Sequence, residues 1–236
     1  MNKMIKKITV YTIAALAFNS INAQNAYSPV PEEGIVNFVT SSTEIEPTKA
    51  KGTPYLNEEF VHGEVIVNDK VEEIGKMRYN AYRNEVEILD NISKDSFYSL
   101  LKRAYIKVEI GGKMYSIYTY VDTDESIKTS YFTNLNEGNL KLLFKPEALL
   151  KQARSPSTSY EKYYPPTYVW NSSYYLLDET NADKENHAVK VRLTKNQILD
   201  FTGSRKEEMK TYIKENDLNL RHEEDVVTFL NYYNTL

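Results

Sequence analysis

The sequence has 236 residues, of which 41% are hydrophobic and 26% are charged, with no cysteine and a formal net charge of −4. These proportions are those of an ordinary globular protein, and they exclude a disordered, collagen-like or coiled-coil chain. The acidic balance argues against a duplex nucleic-acid binder, which needs a basic footprint. Without cysteine, disulfides and thiol catalysis are excluded.

Residues 1–23 have the three parts of a secretory signal peptide: a start with three lysines, an apolar run over residues 8–18, and a short polar stretch that ends at Ala23. A membrane span needs about 20 apolar residues, so the shorter run favours a cleaved signal over an anchor. With no cysteine to carry a lipid, a lipoprotein is not expected. The sequence predicts a soluble, exported bacterial protein, periplasmic or extracellular, with no transmembrane span in the mature chain.

Residues 24–54 are rich in proline, serine and threonine, which predicts an extended leader. An apolar stretch at residues 35–39 could dock as an edge strand. Residues 55–236 are predicted to form a single α+β domain, β-rich over residues 60–193 and helical over residues 194–236.

Hydrophobic residues alternate with polar ones from residue 61 onward, which predicts antiparallel hairpins. Gly111 and Gly112 supply the positive φ angles of a tight turn between two such strands. Residues 142–144 are apolar at every position, which predicts a strand covered on both faces. The expected architecture is a curved antiparallel β-sheet of about eight to ten strands with C-terminal helices packed against it.

The region after residue 145 is less regular. Residues 146–153 predict a short helix, followed by aromatic strand material to residue 177 and a further strand over residues 189–193. Two capping boxes, Thr194 with Gln197 and Ser204 with Glu207, are expected to begin helices. The last helix carries one apolar stripe, formed by Val226, Phe229, Leu230 and Tyr233.

Tyrosine is the main compositional excess, with 20 in the chain. Seven aromatic residues fall within residues 160–175, which could build a platform for a glycan or a partner chain. The alternative is that they pack at the boundary of the core, because tyrosine is also a good strand former. We expect Trp170 to be mainly buried and the tyrosines beside the prolines to be exposed. The candidate ligand or partner patch consists of Tyr160, Tyr163, Tyr164, Tyr168 and Trp170.

No catalytic, cofactor-binding or metal-binding residue is predicted. The three histidines, His62, His187 and His222, lack a second ligand at helical or hairpin spacing. Acidic loops at residues 122–125 and 178–183 could attract calcium, but solvated turns explain them more simply. A pair of carboxylates for glycoside hydrolysis remains an alternative, because the distance between two such groups is set by the fold and not by their spacing in the sequence.

Residues 52–56, 77–82 and 131–145, together with the helical tail at residues 193–234, resemble a family of exported Bacteroidetes proteins of unknown function. The resemblance lies in the layout of hairpins, a leucine-leucine strand and a terminal helix with paired tyrosines. It implies an exported, β-rich domain and carries no ligand or catalytic residue with it.

The function expected from these observations is that of an exported, non-enzymatic envelope protein that binds or scaffolds a partner. An alternative is a binder of an apolar, lipid-like or glycan ligand within the curved sheet, and a carboxylate-based hydrolase ranks last. An aliphatic pocket without charge would favour a lipid-like ligand. An exposed aromatic strip would favour a glycan or a protein, and two facing buried carboxylates would favour the enzyme.

Overall fold

A computed structural model describes residues 38–45, 49–158, 160–180 and 186–236. The predicted signal peptide lies outside the described residues, as do residues 24–37 and 46–48 of the predicted leader and residues 181–183 of the second acidic loop. Among the described residues, no helix has the length and apolar character needed to cross a membrane.

Thirteen strands and three α-helices form within the described ranges. The strands are β1 (Val39–Glu44), β2 (Val61–Val67), β3 (Lys70–Asn80), β4 (Glu85–Leu89), β5 (Ser96–Leu100), β6 (Ile106–Ile110), β7 (Lys113–Val121), β8 (Ile127–Asn134), β9 (Leu140–Lys145), β10 (Ala148–Lys151), β11 (Thr167–Trp170), β12 (Ser173–Asp178) and β13 (Val189–Val191). The helices are α1 (Lys195–Asp200), α2 (Lys206–Glu215) and α3 (Glu223–Tyr233), and a 3-10 helix at Gly203–Arg205 precedes α2.

Eleven of the described strands make one antiparallel sheet in the order β1-β5-β4-β3-β2-β6-β7-β8-β9-β12-β13, and β10 and β11 pair separately. Short turns account for part of this order, because a two-residue loop brings consecutive strands side by side. The pairs β1 with β5, β2 with β6 and β9 with β12 join strands that are distant along the chain. Gly111 and Gly112 form one such turn, with φ angles of 57° and 78°. Asn68 and Asp69 form another, also at positive φ. The predicted α+β class is confirmed. The main sheet has eleven described strands, slightly more than the eight to ten expected from the alternation of hydrophobic and polar residues.

The first half of the sheet buries one face in a core that also takes in three tyrosines. Alternate residues of β3 and β4 point into it, among them Met77, Tyr79, Val86 and Ile88. The Tyr79 ring stacks on Tyr115, with 5.1 Å between centroids. Arg78, Asn80 and Glu87 lie between the core residues along the strands, so they face the opposite side of the sheet.

The second half of the sheet curls. Strand β7 pairs with β6 through residues 113–115. Further along β7, Tyr120 forms an isolated parallel bridge with Ala188. The curl encloses a second cluster in which Tyr120, Phe132 and Tyr175 meet edge to face, with ring centroids 5.2 to 5.7 Å apart. This geometry suits the electrostatics of aromatic rings. Part of the tyrosine excess is therefore explained by core packing.

The C-terminal helices cover the far end of the sheet. Val226, Phe229 and Leu230 of α3 are fully buried against residues from β9 and β12, among them Leu142 and Leu176. Leu143, the next residue of β9, points into the aromatic cluster instead. The predictions that β9 is covered on both faces and that α3 docks through its apolar stripe are both confirmed.

Two local predictions are wrong. Residues 146–153 do not form a helix; Ala148–Lys151 is strand β10, which pairs with β11 in antiparallel register. A helix this short is marginal on its own, and pairing satisfies the backbone groups directly. The capping boxes are also absent: Thr194 is the N-cap residue of α1 without a side-chain capping bond, and Ser204 lies in the 3-10 helix.

The described part of the predicted leader joins the sheet. Strand β1 pairs with β5 at one edge of the sheet, and Phe38 and Val39 pack against the first core. An edge strand was expected from the apolar residues 35–39, but the described strand runs over the serine and threonine residues that follow. Its side chains are almost all exposed, which is tolerated because the pairing needs only backbone groups.

Candidate functional site

A cleft of about 790 Å³ lies over the face of β3, β4 and β5 that is turned away from the first core. This volume falls within the range of about 300–1,000 Å³ that is typical of small-ligand sites. Five parts of the chain contribute: the end of β1, the segment of residues 52–59, residues 78–83, Phe97 of β5, and Tyr168 of β11.

The floor of the cleft is a buried ion pair. Glu87 of β4 is 0% exposed, and its carboxylate accepts a hydrogen bond from Arg78 Nε at 2.7 Å. The second carboxylate oxygen accepts one from Asn80 Nδ2 at 2.8 Å. A buried carboxylate persists only when it is paired in this way. The network therefore holds the β3 and β4 side chains in one arrangement beneath the cleft.

Arg78 also secures the segment that crosses over the sheet. Its guanidinium carbon lies 3.8 Å from the centroid of the Tyr55 ring and 4.2 Å from that of Phe60. Arg78 Nη2 donates to the Tyr55 hydroxyl at 3.0 Å, and Nη1 donates to the Glu58 carbonyl at 3.2 Å. Burial, and secondly the Glu87 carboxylate, raises the pKa of Tyr55, so this hydroxyl stays protonated. One side of the cleft is thus fixed by one arginine.

The opposite wall is aromatic. Tyr82 and Tyr168 meet edge to face, with 5.5 Å between their centroids. Lys51 holds this wall by two backbone bonds: its N–H donates to the Pro166 carbonyl, and its carbonyl accepts from the Tyr168 N–H. Gly52, at a φ of 78°, sits where an added Cβ would lie 3.2 Å from the Tyr168 carbonyl oxygen. Glycine lets the segment approach the aromatic wall this closely.

The charges around the opening are mainly negative. Glu44, Glu58 and Glu59 line the cleft and are exposed, and Arg83 is the basic residue beside them. The charge of Arg78 is already balanced by Glu87. Such a rim repels anions and suits a ligand that is neutral or positively charged.

The structure divides the predicted aromatic patch. Tyr168 lines the cleft, whereas the other four residues lie outside it. Tyr160 is 98% exposed and Tyr163 and Tyr164 are exposed, as expected. Trp170 is 45% exposed, so the expectation that it is mainly buried is wrong. It is the last residue of β11, where it pairs with Ala148 at the start of β10 in the two-stranded sheet.

The acidic and histidine candidates form no metal site in the part of the chain that the structure describes, since no group of three or more His, Asp or Glu side chains there is arranged to hold a metal ion. In the loop at residues 122–125, Asp122 and Asp124 both form ion pairs with Lys128. The hydrogen bond from Lys128 is the main cause that lowers the pKa of Asp122. His187 Nδ1 lies 2.9 Å from Thr119 Oγ1, and His222 is the N-cap residue of α3.

Sequence reasoning missed Arg78, Glu87 and Asn80. A signal was present, since these polar residues alternate with core residues in the middle of strands, but the same pattern is typical of a solvated sheet face. In comparisons with known proteins, no family model, no curated protein and no solved structure matches this chain.

Proposed function

We propose that this chain is an exported, non-enzymatic envelope protein and that the cleft binds a neutral, hydroxyl-rich ligand, namely a glycan. The observation that carries the proposal is the buried Arg78–Glu87 pair beneath an open cleft with tyrosine walls. The buried pair keeps the floor of the cleft rigid, and the exposed Glu58, Glu59 and Arg83 side chains at its opening supply hydrogen-bonding groups. The tyrosine rings supply apolar contact with a polar tip. Sugars present both hydroxyls and apolar C–H faces, which match these two features.

Other ligand classes fit less well. A lipid-like ligand would favour an aliphatic lining, but charged residues line this cleft, Glu58 and Arg83 among them. A polyanion would meet the exposed glutamates at the rim. A glycoside hydrolase would need two carboxylates that face each other across the substrate. Of the cleft glutamates, Glu87 is buried in its bonds to Arg78 and Asn80, and Glu44, Glu58 and Glu59 lie exposed at the rim.

Replacing Tyr82 by alanine is expected to weaken glycan binding at least about tenfold, because the ring stands in the aromatic wall and hot spots of this kind are often tyrosines. Tyr105→Ala is the matched control: Tyr82 is 47% and Tyr105 48% exposed, and Tyr105 is not among the residues that line the cleft. Binding would be measured on an array of neutral and anionic glycans, then by calorimetry at low and high salt.

Neutral glycans should bind the wild-type chain with little dependence on salt, since no ion pair forms across the interface. The Tyr105→Ala variant should bind like the wild type. Equal affinity for the wild type and Tyr82→Ala would show that the cleft is not the binding site, and an array without any bound glycan would reject the proposal.

Docking of a protein partner is a second candidate. The observation in its favour is the exposed tyrosine-rich segment between β10 and β11, where Tyr160, Tyr163 and Tyr164 face solvent. The Arg154 guanidinium carbon lies 4.7 Å from the centroid of the Tyr164 ring, so arginine and tyrosine, two residue types enriched at interfaces, stand together. Co-purification from the native envelope, followed by mass spectrometry of whatever remains bound, separates a protein partner from a glycan.

Export is part of the proposal, and it rests on residues 1–23. We expect N-terminal sequencing of the protein from the periplasmic or extracellular fraction to begin at or near Gln24. A chain recovered from the cytoplasm with Met1 intact would contradict it. The same fractionation tests the proposed kinship with exported Bacteroidetes proteins as far as compartment is concerned.

A further inference from the structure

A second, smaller cavity of about 200 Å³ lies next to the cleft, and Tyr82 lines both of them. The remaining lining comes from the turn between β3 and β4, from β7 and β8, and from residues 145–149 at the end of β9 and the start of β10. Asn84, Ser130, Lys145 and Glu147 are its polar members apart from the two tyrosines. The Tyr82 ring therefore stands at the boundary between two adjacent cavities.

The second cavity is polar but electrically balanced. Lys145 Nζ donates to Glu147 Oε1 at 2.8 Å and to the Tyr120 hydroxyl at 3.2 Å. Lys145 is buried, and its charge is met by the carboxylate of Glu147. An anion would have to compete with Glu147 for the ammonium group of Lys145. A neutral hydroxyl group can accept a hydrogen bond from Lys145 and donate one to Glu147.

Asn84 adds a donor to the same cavity. Its Oδ1 accepts hydrogen bonds from the Tyr79 hydroxyl at 2.9 Å, the Ser130 hydroxyl at 3.1 Å and the Tyr131 N–H at 3.2 Å. These three bonds fix the orientation of the side-chain amide. Within the described residues, the Asn84 Nδ2 group has no hydrogen-bond partner, so it can donate to a ligand.

The two cavities have a fixed spacing. The Ala81 N–H donates to the Pro54 carbonyl at 2.8 Å, and Pro54 lines the cleft. The Ala81 carbonyl accepts from the Ala148 N–H at 3.2 Å, and Ala148 lines the second cavity. A wall of each cavity is thus bonded to the same residue, immediately before Tyr82. Rigid elements on both sides favour a ligand that spans the two cavities with one geometry.

We propose that the cleft and the second cavity are consecutive subsites for one extended neutral oligosaccharide, whose chain crosses the Tyr82 ring. The inference rests on the proposed glycan function and adds the class of glycan: a chain of several units and not a single sugar. An extended peptide is the competing occupant, and it is included as a probe in the test.

The test is calorimetric titration of the mature chain with size-fractionated neutral oligosaccharides from cellulose, starch, xylan and mannan. For the series that binds, affinity should rise with chain length, by at least about tenfold at the length that first passes Tyr82, because the second contact becomes intramolecular. Leu149→Arg, which changes an exposed residue that lines the second cavity, should abolish this rise and leave the affinity of the shortest binding member unchanged.

Ile127→Arg is the matched control, since Ile127 is an exposed apolar residue that is absent from the lining of either cavity. It should keep the full length dependence, and both variants should unfold at the wild-type temperature. Affinity that is equal at all lengths, or a length dependence that survives Leu149→Arg, would overturn the two-subsite inference but not the glycan function. Tighter binding of an uncharged extended peptide, or no binding by any of the four series, would overturn both.

Discussion

Glu87→Ala is expected to lower the free energy of unfolding by about 3–5 kcal/mol, the usual cost of leaving a buried charge without its partner. Arg78 would remain beneath the Tyr55 and Phe60 rings with no carboxylate to meet its Nε group. Asn80 would lose its acceptor at the same time. Chemical denaturation at neutral pH would measure the change, read from the shift in midpoint at constant slope.

The reason for the loss can be tested with a second variant. Arg78→Met combined with Glu87→Leu removes both charges and keeps most of the volume, so it should recover most of the stability that Glu87→Ala loses. Lys107→Ala is the control at a surface pair, where Lys107 Nζ lies 2.8 Å from Asp69 Oδ1. Its effect should stay below about 1 kcal/mol. If Glu87→Ala proved as mild as Lys107→Ala, the network would not be what holds the cleft floor.

Much of the fold could be predicted because local patterns and the final packing agree. The tight turn at Gly111–Gly112 needs positive φ angles, and glycine marks that need in the sequence. Leu142 and Leu143 are apolar neighbours on one strand, and the structure covers each from a different side. In both cases the information lies within a few residues.

The cleft could not be predicted in this way, because its parts come from distant segments. Whether Arg78 and Glu87 face solvent or a ligand site depends on the segment that ends in Phe60, which folds back over the sheet. That segment is held by long-range contacts, such as the bond from the Ala81 N–H to the Pro54 carbonyl. Neither the hydrophobic periodicity nor a sequence motif predicts a contact between such distant residues.

The errors at residues 146–153 and at Trp170 have a shared cause. Both belong to the separate two-stranded sheet, in which Ala148 pairs with Trp170. Each strand has four residues. Over so short a length, the alternation of apolar and polar residues in a strand cannot be distinguished from the pattern of one helical turn. Since the partner strand lies about twenty residues away across an irregular segment, local pattern could identify neither the pairing nor the exposure that results from it.

Phe229→Ala is expected to cost about 3–5 kcal/mol of unfolding free energy, the usual range for a buried phenylalanine. Phe229 is fully buried in the cluster where α3 meets the sheet. Leu142 of β9 and Leu176 of β12 belong to the same cluster, so the cluster joins the helix to the strands. Strands cannot readily collapse into the space that a lost ring leaves, because their backbone bonds fix their separation, and the cavity penalty should therefore be close to complete.

Asn231→Ala on the same helix is the control, because Asn231 is exposed and faces away from the cluster. Its effect should lie within about 0.5 kcal/mol, which separates loss of packing from loss of helix propensity. A change below about 1 kcal/mol for Phe229→Ala would mean that α3 contributes little to the cooperative unit. The cleft lies over the other half of the sheet, so a properly folded Phe229→Ala variant should still bind the neutral oligosaccharides at low temperature. Loss of binding in a variant that remains folded would show that the helices and the cleft are energetically coupled through the sheet.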